Sequence, residues 1–239
     1  RSFSDRADRM DARSEKDRAK ARLEASKAFA RSFSDRASIR SARTDRFASF
    51  PDFETWLASK RDSQGTQRVV LKKSGLAAGK GVLESDDPSE LTSFARSVLK
   101  DDELLAEEFL TGYELSVFAL TDGKRYITFP AAADHKKALP DNKGPNTGGM
   151  GAVCPVPSAD RVLMERIDNE IVAPTFERMA QENLGYRGVV FFGVMVGEQG
   201  PSLLEYNVRW GDPETQSILP LLDYDIGDLF EAVALGDIS

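Results

Sequence analysis

The stretch Leu204-Glu-Tyr-Asn-Val-Arg-Trp-Gly-Asp-Pro-Glu-Thr-Gln216 decides how this chain is read. Side chains alternate across a strand. Glu205, Asn207 and Arg209 therefore share one face, and Tyr206, Val208 and Trp210 share the other. A carboxylate and an amide oxygen two residues apart are hard ligands suited to Mg2+ bridging nucleotide phosphates. Arg209 beside them can pair with a carboxylate or phosphoryl oxygen. Three polar side chains on one buried face are costly unless ligands satisfy them. The other reading is a solvent-facing edge strand, and the strongly apolar run Val189 to Val196 just before it argues against that.

Working outward, Lys72-Lys-Ser-Gly75-Leu-Ala-Ala-Gly79-Lys80-Gly81 looks at first like a P-loop. The Walker pattern needs four residues between its glycines and a Ser or Thr after the lysine. Here three residues separate Gly75 from Gly79, and Gly81 follows Lys80. The segment reads instead as a loop between a strand at 68–73 and a second strand from Val82, able to fold over phosphates with backbone N–H groups and Lys80. On the first strand, Val70 and Lys72 point one way and Leu71 and Lys73 the other. A glycine-rich hairpin with solvated lysines fits the same residues.

Three further segments invite chemistry. In Glu107-Glu-Phe-Leu110 an apolar strand ends, and its free backbone groups can pair with an adenine edge while Glu114 accepts from ribose hydroxyls; an ordinary strand-loop-strand also fits. Gly144-Pro-Asn-Thr-Gly-Gly-Met-Gly151 carries four glycines in eight residues and follows Asp134-His-Lys-Lys137, whose basic pair suits an anionic substrate. Long structureless loops are usually functional or disordered. The region 134–151 is expected to be such a loop. His135 alone carries no argument, and Cys154 reads as a small buried apolar residue rather than a nucleophile.

The chain has 239 residues, with 32 Lys/Arg against 39 Asp/Glu and a net charge of −7, which argues against a general nucleic-acid binder. One cysteine excludes an intrachain disulfide, and one histidine excludes a two-histidine metal motif. The conspicuous apolar run Gly188 to Gly197 is shorter than the ~20 residues a membrane span needs, so no membrane is implied and a cytoplasmic setting is expected. Residues 1–20 are densely charged, and Arg1-Ser-Phe-Ser-Asp-Arg-Ala7 recurs at Arg31 to Ala37.

Helices are expected over Arg22–Arg36, from Pro51 burying Phe53, Trp56 and Leu57, and from Asp87-Pro-Ser-Glu90, which joins a capping acid, Pro at the first position and a Glu at the capping-box position. Strands are expected at 103–110, 114–120 and 125–129, the last two joined at Asp122-Gly123. A helix near 160–183, a strand pair 187–196 and 202–208 turning at Gly200-Pro201, and a closing helix 225–235 complete a mixed α+β chain of largely antiparallel pairs.

Taken together, these motifs resemble the ATP-grasp fold, and specifically the glycinamide ribonucleotide synthetase (phosphoribosylamine–glycine ligase) family, from about Leu23 to the closing helix. The most specific strings are Gly75 to Gly81, Asp134-His-Lys136, Gly144 to Gly151 and Arg209 to Gln216. Departures are Lys73-Ser74 for the family's Ala-Asp, Ala133 for Gln and Trp210 for Phe.

The resemblance implies two subdomains of largely antiparallel sheet with helices enclosing an ATP cleft. About 68–130 would clasp the nucleotide and 131–239 would hold metal and substrates. Residues 1–20 stand apart, and the family's flanking N- and C-terminal domains are absent, as in a portion of a longer or multifunctional purine-synthesis chain. The implied reaction joins glycine to 5-phosphoribosylamine through glycyl phosphate, giving ADP and phosphate. The alternatives are another carboxylate–amine ligase of this fold, or a nucleotide-binding fragment without turnover. By the same resemblance Lys72, Gly75, Gly79, Lys80 and Gly81 bind ATP phosphates. Glu107, Glu108, Phe109 and Leu110 hold adenine, and Glu114 holds the ribose. Glu205 and Asn207 hold Mg2+ or Mn2+, and Arg209 and Asp212 are catalytic. Asp134, Lys136, Asn146, Thr147, Gly148, Gly149 and Glu214 meet the substrates.

Overall fold

A computed structural model describes residues 27–62, 65–75, 81–139, 143–147 and 149–238. The charged opening segment, Gly79, Lys80 and Gly148 lie outside the described residues, as does the side chain of Asn146. In chain order, α1 (Lys27–Arg36) leads to β1 (Thr44–Phe47), α2 (Phe50–Ser59), the short pair β2 (Arg61–Asp62) and β3 (Gly65–Thr66), β4 (Val69–Lys73), β5 (Val82–Ser85), α3 (Pro88–Val98) and β6 (Leu104–Glu108). Strands β1, β6, β4 and β5 form one antiparallel sheet in that order. Its apolar face is closed by α2 and α3, which bury Phe53 and Leu91 against Leu71 and Leu104.

Both helices start where the sequence signals it. Ser49 and Asp87 accept from backbone N–H groups of the first turn, with Pro51 and Pro88 just inside. The capping box at Glu90 is relayed: Ser85 Oγ donates to Glu90 Oε2 at 2.6 Å and accepts from the Asp87 N–H at 3.0 Å.

Next come β7 (Tyr113–Thr121), β8 (Tyr126–Thr128), β9 (Ala133–Asp134), β10 (Lys137–Leu139), β11 (Lys143–Asn146) and β12 (Ala152–Val153). They are followed by α4 (Arg161–Ile167), α5 (Ala173–Gln181), β13 (Gly188–Gly197), β14 (Gly200–Asn207), α6 (Glu214–Ile218) and α7 (Ile226–Leu235). The second sheet runs β14-β13-β7-β8. Because β7 and β8 belong to it, the break between sheets falls between Glu108 and Tyr113, not near residue 130. Alternation buries both faces of this sheet. Val117 and Phe192 face one core, completed by α1 and by Ile167 and Ile171. Phe118 and Phe191 face another, completed by Ile218 and Leu229.

Four expectations are revised. The region 134–151 is not one structureless loop: β9 pairs with β12 and β10 with β11, so backbone groups close on each other instead of on water. The helix near 160–183 is interrupted at Asp168–Val172 by a π-turn, where the Ala173 N–H reaches the Asp168 carbonyl just before Pro174, which has no N–H to donate. Gly200 and Pro201 lie inside β14, paired with Gly197 and Val196, so the turn is made by Glu198 and Gln199. Trp210 does not share a face with Tyr206 and Val208: β14 ends at Asn207, strict alternation ends with it, and the indole stacks on Phe118 (5.6 Å between ring centroids).

Candidate functional site

A cleft of about 690 Å3 lies between the two sheets and is lined from both. The small sheet contributes Val70, Lys72, Gly75 and the run Glu107 to Leu110. The large sheet and its loops contribute Glu114, Asp134, Lys136, Thr147, Glu205, Asn207, Arg209, Asp212 and Glu214. The sequence-derived candidates therefore converge on one concavity, apart from Gly81 and Gly149, which do not line it, and the residues outside the described set. Gly81 is buried, and its carbonyl accepts from the Lys73 N–H.

On the small-sheet side, charge is compensated. Glu107 is 3% exposed. Lys72 Nζ lies 2.6 Å from its Oε2, and Arg31 Nη2 lies 2.8 Å from its Oε1. Removing one partner from a buried pair of this kind typically costs ~3–5 kcal/mol, because the other charge is stranded. Lys73 points to the opposite face, near Asp101 and Asp102. The Gly75 N–H donates to Asp102 Oδ2 at 3.2 Å, so that amide is already engaged. The Glu108 carboxylate accepts the Arg43 N–H at 2.9 Å and secures β1, while the Arg68 guanidinium stands 4.8 Å from the Phe109 ring centroid at the cleft wall.

On the large-sheet side, carboxylates dominate. The β13–β14 register slips by one residue after Gly193: Gly193 opposes Glu205, yet Val194 opposes Leu203. A bulge of this kind re-aims a side chain. It lets Leu203 enter the core while Glu205, two residues on, faces the cleft. Gly193 makes the room, since a Cβ there would stand 3.1 Å from Glu205 Cγ. Asn207 follows on the same face; Arg209, beyond the strand end, donates to the Trp210 carbonyl at 3.1 Å. Asp212 Oδ1 accepts from Gln216 at 2.8 Å, across the first turn of α6.

Glu214 is 4% exposed and accepts from Ser116 Oγ at 2.8 Å. Lys136 Nζ lies 2.9 Å from Glu114 Oε1. Burial works against its ammonium, but Glu114, then Glu205 and Asp134, outweigh it and hold the Lys136 pKa above the ordinary lysine value. Asp134 Oδ1 is buried and has no hydrogen-bond partner among the described residues. Desolvation, with Glu214 and Glu114 nearby, holds this carboxyl above the usual range despite Lys136. Gly149 closes over it at φ +128°, where a Cβ would stand 2.5 Å from Pro213 Cδ and 3.1 Å from Asp134 Oδ1. His135 is exposed, and Cys154 is half-buried beside the Phe118 core rather than fully inside it.

Sequence reasoning missed Arg31 and Ser116. The signal for Ser116 was a hydroxyl inside an apolar strand. For Arg31 it was a cation on a helix face next to the buried Phe33 and Ser34.

Residues 25–215 match the family model for the phosphoribosylglycinamide synthetase ATP-grasp (A) domain. The chain belongs to that family. Over 227 residues it is 37% identical to the phosphoribosylamine–glycine ligase of Leptospira interrogans, covering 92% of this chain and 52% of that protein. The solved phosphoribosylamine–glycine ligase of Thermotoga maritima superposes with a TM-score of 0.77 at 31% identity, over 91% of this chain and 56% of that one. The trifunctional purine biosynthetic protein adenosine-3 of Bos taurus is 38% identical over 90% of this chain and 22% of its own length. The chain thus spans about half the length of the ligases it matches, and relatives include longer, multifunctional proteins. The α+β ATP-grasp fold read from the sequence is the fold of this family, a family of ATP-using ligases. Among the described residues no helix is long and apolar enough to cross a membrane.

Proposed function

We propose that this chain is the ATP-clasping and ligating portion of a phosphoribosylamine–glycine ligase. The observation that carries the reading is a single cleft lined by Lys72 and Gly75 on one side and Glu205 and Asn207 on the other. The division into subdomains follows the sheets, with a nucleotide-clasping lobe to Glu108 and a metal- and substrate-holding lobe from Tyr113.

The donor set fits a hard divalent cation. Glu205 and Asn207 offer oxygen ligands on one face, and among the described residues no group of three His, Cys, Asp or Glu forms an all-protein site. That is the arrangement expected of Mg2+, which takes much of its shell from phosphate and water. When bound, Mg2+ or Mn2+ neutralises charge on the transferring phosphoryl group.

The chain's own residues supply positioning and charge. Lys72, with Gly75, Gly79, Lys80 and Gly81, meets the phosphates. The backbone of Glu107 to Leu110 meets adenine, and Glu114 meets the ribose. Arg209 and Asp212 orient glycine, whose carboxylate attacks the γ-phosphoryl group to give glycyl phosphate and ADP. Asn146, Thr147, Gly148 and Gly149 of the 144–151 loop meet glycine or the acyl phosphate, and Glu214 lies among the substrate residues. Asp134 and Lys136 contact 5-phosphoribosylamine, whose amine attacks the acyl carbon and releases phosphate. No covalent enzyme intermediate is needed.

Calorimetry with ATP, followed by ADP release with glycine and with other amino acids, tests this. The expected result is ATP binding and glycine-dependent ADP release requiring 5-phosphoribosylamine for the second product. Binding without turnover marks a nucleotide-binding fragment. Turnover with a different amino acid marks another carboxylate–amine ligase.

A further inference from the structure

Glu107, Lys72 and Arg31 come from three elements and both sides of the cleft. Lys72 and Glu107 stand on the adjacent strands β4 and β6 of the small sheet. Arg31 is carried by α1, whose Ala30 and Phe33 pack into the core of the large sheet beside Leu203 and Tyr206. Its guanidinium also approaches the Leu204 carbonyl (3.5 Å), at the bulge that aims Glu205. Among the described residues, two cations thus share one buried carboxylate.

We propose that Arg31 is a positioning residue: it holds Glu107 from the large-sheet side, so that Lys72 can turn from Glu107 to a phosphate in the cleft. The inference rests on the nucleotide reading above. Its physical basis is the difference between the two cations. Lys72 ends in a point charge on a flexible stem, whereas Arg31 is permanently charged and rigid at its fork. Were Lys72 to leave a buried carboxylate with no other partner, it would strand a charge. With Arg31 in place the carboxylate keeps a charge-assisted hydrogen bond. The lysine is then retained near the cleft without being trapped there.

The test titrates Mg-ATP and, separately, adenosine into the full chain by calorimetry. Arg31→Met is expected to weaken ATP binding by about tenfold or more, the size of one lost charge-assisted contact, with adenosine unchanged. Arg31→Lys keeps a cation on Glu107 and stays within about threefold of the unsubstituted chain. Glu107→Gln added to Arg31→Met restores most of the ATP affinity, because the amide no longer holds Lys72. If Arg31→Met does not fold, Arg31→Gln is used, with the same expected split between ATP and adenosine. ATP binding unaffected by loss of the cation, ATP and adenosine weakened together, or a double variant as weak as the single one overturns the proposal. An unsubstituted chain that binds no ATP overturns the nucleotide reading and this inference with it, and that is seen before any variant is made.

Discussion

Glu107 and Glu205 face the same cleft and are kept in opposite ways. Glu107 is buried between two cations in the small-sheet wall. Glu205 is exposed on the large-sheet wall of a cleft that Glu114, Asp134, Asp212 and Glu214 also line, and among the described residues it forms no ion pair. A carboxylate whose charge is cancelled inside the protein belongs to the fold; one left open to the cleft is available to a ligand. The lesson is that residue type does not separate these two acids, whereas burial and partners do.

The sharpest break of that comparison comes from removing each acid. Glu107→Ala strands Lys72 and Arg31 and is expected to cost ~3–5 kcal/mol in urea unfolding. Glu205→Gln should leave stability within ~0.5 kcal/mol yet lower Mg-dependent ADP release by ~100-fold or more. Equal stability losses in the two variants would erase the distinction between the walls.

Ser116→Ala is next in size. It removes the hydroxyl donating to the buried Glu214 and is expected to cost ~1–3 kcal/mol, measured by the same unfolding assay. A change near zero would mean that Glu214 finds another donor.

Two aspartates sharpen the comparison through pH. Asp122 is fully buried. Burial pushes its carboxyl up, but the backbone N–H groups of Arg125, Ile238 and Lys124 outweigh this and hold it below the usual range. It therefore contributes stability above the ordinary value of ~3.9, lost as pH falls through its lower folded value. Asp134, held above that range, has the opposite sign. It costs stability above its raised folded value, and the cost disappears as pH falls to ~3.9 and below. Unfolding followed across acidic pH should show Asp122→Asn flattening the loss on acidification and Asp134→Asn raising stability near neutrality. Reversed slopes would overturn both assignments.

The smallest effect is expected far from either wall. Arg161 and Glu165 form an exposed i,i+4 pair on α4. Arg161→Ala should change stability by less than ~0.5 kcal/mol in the same assay.

Much of this was legible before any coordinates. Asp87-Pro88 marked a helix start, and Val189 to Val196 marked a buried strand. The pair Glu205 and Asn207 marked a strand face that lines the cleft. These are local signals, set by capping, alternation and composition over a few residues. The sites that escaped notice join distant parts of the chain. Arg31 meets Glu107 across 76 positions, and Ser116 meets Glu214 across 98. The Asp122 carboxylate, at the turn after β7, receives the Ile238 N–H across 116. Trp210 turns to the Phe118 side because strict alternation ends with the strand at Asn207.

The sequence by itself determined the periodicities, the caps, the ligand-type residues and hence the family, because each depends on chemistry within a few residues of chain. Only the tertiary structure decided which acids are neutralised and which are open, because that depends on distance through space and on exclusion of water. The bulge at Leu204 illustrates the division: one extra residue, invisible in the alternation, turns Leu203 into the core and Glu205 into the cleft.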